Sequence, residues 1–177
     1  MSFIELARER QSCRRYDPTR EVEGEKLDTI LECARLSPSA CNSQPYRITV
    51  VKGEAAKKCA KAVQGMGMNR FASDVPVFLV LSEEDYNATA AMGAKIKKND
   101  YRSIDIGILS AYITAAATSL GLGSCILGWL DDGKLRELCS LSGAARLVIA
   151  IGYPAEGEEL REKHRKPMDE LVYTVDG

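Results

Sequence analysis

The chain carries three short polar segments whose side chains suit an anion or the edge of a heterocyclic ring. The first, RQSCRR at residues 10–15, places three guanidinium groups and one hydroxyl within six residues. If this segment is extended, Arg10, Ser12 and Arg14 point to one side, because side chains alternate along a strand. Forked guanidinium donors suit a phosphate or an electron-rich ring edge. Taken alone, the segment is more typical of a solvated basic turn.

The second segment is PSACNSQP at residues 38–45, a loop bounded by two prolines. Ser39, Asn42 and Gln44 supply uncharged hydrogen-bond donors and acceptors, which suit the edge of a heterocycle. A plain turn between a helix and a strand is the alternative.

The third segment lies near the C-terminus, where Lys163, Arg165 and Lys166 cluster before Pro167. By itself such a cluster is most often a run of surface charge in contact with water. None of the three segments decides a function alone.

Several other kinds of chemistry lack their usual residues. His164 is the single histidine, and the six cysteines are scattered with no CxxC pair. We therefore expect no metal site, no disulfide framework and no Cys–His or Ser–His catalytic couple. The cysteines are Cys13, Cys33, Cys41, Cys59, Cys125 and Cys139.

Two glycine-rich stretches match nucleotide-binding motifs only in part. GLGSCI has Ile126 where the dinucleotide-binding pattern requires glycine, and a predicted helix, not a strand, precedes it. GWLDDGKL has Leu135 where a phosphate-binding loop needs Ser or Thr, and its two aspartates would repel phosphate. We expect neither a Rossmann site nor a P-loop.

The composition predicts one ordinary globular domain that spans residues 1–177. With 24 basic and 25 acidic residues the net charge is −1, so we expect no nucleic-acid partner. No apolar run approaches the roughly 20 residues that cross a bilayer, so we expect no membrane partner. The first residues, MSFIELARER, carry charges where a signal peptide would be apolar, so we expect a cytoplasmic protein.

Hydrophobic periodicity predicts helices and strands in alternation after a short N-terminal helix. The helices are predicted at residues 25–37, 54–64, 103–120 and 132–141. The strands are predicted at residues 46–52, 75–82 and 147–153, with a strand or tight turn at 124–129. The helix at 103–120 is apolar on nearly all faces, so we expect it at the centre of the domain.

Two stretches are harder to interpret from the sequence. Residues 83–101 combine a weak helical pattern with many charges, and both a surface helix and a lid are compatible with them. The charged tail is predicted to become extended at residues 171–175 and to lie on a neighbouring subunit.

Taken together, in this order, the three segments resemble the FMN-dependent nitroreductase family. Its motifs are R-x-S-x-[RK] near the N-terminus, P-S-x-x-N-x-Q-P after the second helix, and K-x-R-x-P near the C-terminus. The matching residues are Arg10-Ser12-Arg14, Pro38-Ser39-Asn42-Gln44-Pro45 and Lys163-Arg165-Pro167. A long apolar helix that ends in GLG before a small-residue turn, at residues 105–128, extends the resemblance over essentially the whole chain.

The resemblance implies an α+β fold, a three-layer α/β/α sandwich with a mixed, mainly antiparallel sheet. It also implies an arm-exchanged homodimer, in which the C-terminal arm embraces the partner and the flavin sites lie at the subunit interface. Residues 1–177 would form a single FMN-binding domain.

The resemblance further implies which residues contact the flavin. Around the ribityl phosphate and the pyrimidine edge it would place Arg10, Ser12, Arg14, Lys163 and Arg165. From the loop of the other subunit it would bring Ser39 and Asn42, with Gln44 in the same motif. Backbone groups of Leu127 and Gly128 would face the central nitrogen of the ring, and Asn69 would also reach the flavin.

The implied activity is electron transfer from NADH or NADPH, a transient co-substrate, through tightly bound FMN to a small acceptor. Nitro compounds, quinones and free flavin are candidate acceptors, and no protein acid or base is required because the cofactor carries the chemistry. Leu127 stands where some members carry an acidic residue, which leaves the acceptor open. The alternative is a flavin-binding sensor or storage protein with little turnover.

Overall fold

A four-stranded antiparallel sheet forms the centre of the computed structural model, which describes residues 1–176. The strands follow the order β1-β2-β4-β3, and each neighbouring pair is antiparallel. Their bounds are β1 Tyr46–Lys52, β2 Val77–Glu83, β3 Gly123–Leu127 and β4 Ala145–Gly152. Within the described residues, the parallel part of the expected mixed sheet is one isolated bridge, between Ser12 and Ser124.

Seven helices and two short 3₁₀ turns accompany the sheet in residues 1–176. The helices are α1 Phe3–Glu9, α2 Gly24–Arg35, α3 Glu54–Val63, α4 Ala88–Lys97, α5 Tyr101–Ser119, α6 Asp132–Cys139 and α7 Met168–Leu171. The 3₁₀ turns are Ala40–Asn42 and Arg70–Asp74. The predicted helices and strands are confirmed, with ends that differ by at most two residues.

The sheet separates two apolar cores, which makes the domain a three-layer sandwich. Phe78 and Val80 face the core shared with α3 and α6, whereas Leu79 and Leu81 face the core shared with α2 and α5. This alternation follows from the period of two along a strand. Because β2 is covered on both faces, its sequence is a continuous apolar run. The predicted α+β sandwich is thereby confirmed.

Helix α5 is the long central helix, and several of its polar side chains bond within the helix. Asp100 caps its first turn by accepting the Arg102 backbone N–H at 3.1 Å. The Ser110 and Thr114 hydroxyls donate to carbonyls one turn earlier, at 2.7 and 2.9 Å. In residues 1–176, neither this helix nor any other is long and apolar enough to span a bilayer.

The two stretches that the sequence left open have definite structures. Residues 88–97 form α4, and Asn87 caps it by accepting the Ala90 N–H at 2.9 Å. The extended tail prediction was wrong at Leu171, because Pro167 precedes a short helix with two acidic residues in its first turn. Val172 has extended backbone dihedral angles, and residues 172–176 form no strand.

Gly143 packs closely against the backbone at the end of β2. A Cβ there would lie 2.1 Å from the Glu83 carbonyl oxygen, at the end of β2. We expect Gly143→Ala to lower the free energy of unfolding by about 3 kcal/mol, because backbone must move to relieve the overlap. Denaturant unfolding measures this change. Gly24→Ala, where a Cβ meets nothing within 4 Å, is the control and should stay within about 0.5 kcal/mol; equal losses in both would contradict the contact.

Candidate functional site

A basic cavity lies where the first and third polar segments meet, although they are far apart in the sequence. Its volume is about 270 Å³. Five of its lining residues are cationic and one is acidic, so its field favours an anion. The lining residues are Arg10, Gln11, Ser12, Arg14, Arg161, Glu162, Lys163 and Arg165.

The N-terminal side of this cavity runs beside β3. Ser12 forms a parallel bridge with Ser124, and the Cys13 N–H donates to the Ser124 carbonyl at 2.9 Å. The extended backbone buries Cys13 while Arg10, Ser12 and Arg14 line the cavity. The three predicted side chains thus line one cavity, but Gln11 lines it as well, so the alternation is not strict.

The C-terminal side is held against the N-terminal side by local hydrogen bonds. The Arg161 N–H donates to Gln11 Oε1 at 3.0 Å, and Gln11 Nε2 donates to the Glu159 carbonyl at 3.0 Å. The Lys163 ammonium donates to the carbonyl of Arg8. These bonds bring the two segments together within one chain.

Arg161 is a cavity residue that the motifs missed. Its guanidinium donates to the Ser12 carbonyl and pairs with the Glu158 carboxylate at 2.9 Å. The Glu158 side chain is only 7% exposed and also accepts the Arg14 N–H at 3.4 Å. The signal in the sequence was one more basic residue, four positions before Arg165 in the charged tail.

The arginines of the cavity affect the pKa of Cys125, on the neighbouring strand β3. Burial raises the pKa of Cys125, while Arg14, the Ser12 hydroxyl, Arg161 and Arg10 oppose that rise. Three of the arginines that line the cavity therefore oppose the effect of burial on this thiol.

A larger cavity, of about 690 Å³, lies beside the end of β1 but has a different charge pattern. Arg20, Lys52 and Lys57 are balanced there by Glu21, Glu54 and Asp74. Lys57 is also paired with Glu54 at 2.7 Å. Size alone favours this cavity, but the charge balance makes the smaller one the better anion site.

The second polar segment is a tight loop with a constrained backbone. Cys41, Asn42 and Gln44 have φ of 51°, 49° and 48°. This left-handed conformation is unfavourable by roughly 1–2 kcal/mol for a residue with a side chain. Gln44 Nε2 donates to Asn42 Oδ1 at 3.1 Å, and the Gln44 N–H donates to the Ser39 hydroxyl at 3.0 Å.

Two helices anchor this loop from outside. Asp105 of α5 accepts the Ala40 N–H at 3.0 Å. At the start of α4, Asn87 donates to the Cys41 carbonyl at 3.1 Å and its N–H donates to the Ser43 hydroxyl at 2.8 Å. The conformation of the loop is therefore set by tertiary contacts as well as by its own bonds.

The loop and the basic cavity lie at opposite edges of the sheet. Ser12 lies beside β3, whereas the loop leads into Tyr46 of β1. From the Ser12 segment across β3, β4 and β2 to β1 there are four strand spacings, which is about 19 Å. The residue pairs that connect the strands run from Ser12 across the sheet to Lys52. Lys52 ends β1, whereas the loop enters β1 at Tyr46, so the loop and the cavity also lie at opposite ends of the strands. A single chain therefore does not bring Ser39, Asn42 and Gln44 to the cavity.

The other predicted contact residues lie apart from the cavity lining. Leu127 is buried at the end of β3 and Gly128 follows it on the surface. The Asn69 amide donates to the Val63 carbonyl at 3.0 Å, where it closes a turn after α3. Its donor group is thus engaged in a structural bond.

Comparison with known proteins identifies the family. The model of the Nitroreductase family matches residues 7–153. The chain belongs to this family. It is 31% identical to a protein named NADH dehydrogenase from Thermus thermophilus, over 94% of this chain and 92% of the relative. The resemblance to this family is confirmed, and with it the assignment as an oxidoreductase.

Solved nitroreductase structures share the fold. A nitroreductase family protein from Clostridium difficile 630 is 28% identical, covers 98% of both chains and superposes with a TM-score of 0.80. An FMN-dependent nitroreductase from Clostridium difficile R20291 is 26% identical, covers 98% of this chain and 99% of its own, and gives a TM-score of 0.76.

The cavity should bind a simple dianion. We expect about 100 mM phosphate to raise the melting temperature by about 3 °C over sodium chloride of equal ionic strength, because binding stabilises the folded state. Thermal unfolding with and without phosphate measures the shift. Arg165→Ala should reduce the shift. Lys58→Ala, which removes an equal charge from an exposed position on α3, should not. An identical shift in both variants would place the anion elsewhere.

Proposed function

We propose that this nitroreductase family member is an FMN-dependent oxidoreductase that uses NADH or NADPH to reduce a small acceptor. The observation that carries the proposal is the basic cavity, where Arg10, Arg14, Arg161, Lys163 and Arg165 converge. A phosphate monoester carries close to two negative charges, so it matches a site with a net excess of cations.

The donors present fit the two chemically different parts of FMN. The guanidinium groups of Arg14 and Arg165 provide forked donors for a phosphate. Ser39, Asn42 and Gln44 provide uncharged donors and acceptors, which suit the carbonyl and imide edge of a flavin ring. We propose that the Leu127 and Gly128 backbone lies near the ring and that Asn69 lies at its margin.

The separation of these donors supports a homodimer with the site at the subunit interface. The loop of one chain cannot reach the cavity of the same chain, so a second copy would supply it. The C-terminal arm of one chain exposes apolar side chains that a partner would cover. They are Met168, Leu171, Val172, Tyr173 and Val175, and Tyr173 is 90% exposed.

When bound, FMN would supply the ability to accept a hydride and to pass on two electrons. The residues of the chain bind and orient the cofactor, and the cavity cations favour negative charge beside it. No protein acid–base couple is needed for this role. The acceptor would be a nitro compound, a quinone or free flavin.

We place the protein in the cytoplasm, since all six cysteines are free thiols. Unpaired cysteines are typical of a reducing compartment. The nicotinamide co-substrates are also cytoplasmic molecules.

The decisive experiment is the visible absorption spectrum of the purified protein with FMN, before and after anaerobic addition of NADH or NADPH. We expect a flavin spectrum that bleaches within seconds. Bound flavin that is not bleached would favour the sensor or storage alternative. A colourless protein after reconstitution with FMN would refute the proposed cofactor.

Removing single cations should weaken flavin retention. We expect Arg14→Ala and Arg165→Ala each to raise the Kd for FMN about tenfold, which is the loss of about 1.4 kcal/mol from a charge-assisted bond. Quenching of flavin fluorescence on binding measures the Kd. Lys58→Ala is the matched control, and it should bind FMN like the wild type. Unchanged FMN affinity in both arginine variants would remove the cavity from the site.

A further inference from the structure

Asp105 is a buried carboxylate whose contacts lie outside its own helix. It is 2% exposed on α5. Its Oδ1 accepts the Ala40 N–H at 3.0 Å, whereas its Oδ2 is buried without a hydrogen-bond partner among the described residues. This role was not predicted, because Asp105 lies in the stretch predicted as an apolar central helix.

The bond to Ala40 caps the loop that carries Ser39 and Asn42. Ala40 begins the 3₁₀ turn, and Ser39 stands at its N-cap position without a side-chain cap bond. An N-cap serine ordinarily accepts an N–H from the first turn. Here Asp105 accepts that turn's first N–H, and the Ser39 hydroxyl accepts the Gln44 N–H instead.

We propose that Asp105 is a positioning residue for the flavin-binding loop, an inference that rests on the proposed function. Its carboxylate fixes Ala40, and through Ala40 it fixes Ser39 and Asn42 in the orientation that presents them to the cofactor of the partner subunit. The loop is thereby held before any flavin binds.

The incomplete bonding of Asp105 supports a positioning role over a stabilising one. A buried carboxylate is unfavourable unless its oxygens are satisfied, and one oxygen here has no partner. Ser110 and Thr114 on the same helix show the less costly solution, since their hydroxyls bond to helix carbonyls. Asp105 instead reaches a neighbouring loop, where three residues have left-handed backbones that need external support.

The test compares substitutions at Asp105 with one elsewhere on the same helix. Asp105→Asn keeps an oxygen that can accept the Ala40 N–H, whereas Asp105→Ala removes it. Asp105→Ser keeps a buried hydroxyl that can bond to its own helix, as Ser110 does, but it is too short to reach Ala40. Ser110→Ala is the matched control, because it deletes a buried polar group from α5 without touching the loop.

Two quantities are measured on the full chain. Hydrogen exchange at residues 39–44 is followed without flavin, and the Kd for FMN is measured separately. We expect Asp105→Ala and Asp105→Ser to accelerate exchange and to raise the Kd, each at least tenfold. Asp105→Asn and Ser110→Ala should both stay within twofold of the wild type. If Asp105→Ala fails to fold, Asp105→Ser carries the comparison.

The outcomes separate the positioning role from the proposed function. If hydrogen exchange at residues 39–44 is unchanged in Asp105→Ser, Asp105 does not hold the loop. The same conclusion follows if Asp105→Asn accelerates exchange as much as Asp105→Ser does. Accelerated exchange with unchanged FMN affinity would overturn the link between the loop and the cofactor. If the wild type does not bind FMN, the proposed function fails, while the exchange measured without flavin still decides whether Asp105 holds the loop.

Discussion

The antiparallel pairing of β1-β2-β4-β3 is the constraint on which the candidate site depends. It places the strand that follows the Ser39 loop at one edge and the strand beside Ser12 at the other. Hydrogen-bonded strands keep a fixed spacing, so no small movement within the chain can close the gap. The two polar surfaces are therefore rigidly separated, which supports the proposal that a second copy of the chain completes the site.

Each half of the proposed site, the basic cavity and the Ser39 loop, is held in place by contacts within the chain. The basic half is held by the Ser12 bridge to β3 and by Glu158, which restrains Arg161 and the backbone of Arg14. The uncharged half is held by Asp105 and Asn87 from two helices. Such preorganisation lowers the entropy that binding would otherwise lose.

The sequence predicted the layers of the fold better than the details of the site. Strand β2 was recognisable because an apolar run covered on both faces leaves a clear pattern. The meeting of Arg14 with Arg165 followed from the family resemblance, because nothing in their separate segments indicates contact. Arg161 and Asp105 were missed, since the first resembles surface charge and the second sits in an apolar helix. Helix α7 was missed because four residues carry too little periodicity to detect.

The separation of the two halves also has a genetic consequence. In the proposed dimer each site takes its cations from one chain and its loop from the other. A chain defective in the cavity and a chain defective in the loop would each form inactive homodimers. Their heterodimer would combine both defects in one site and leave the second site intact, so co-expression of the two defective chains would restore activity through mixed subunits.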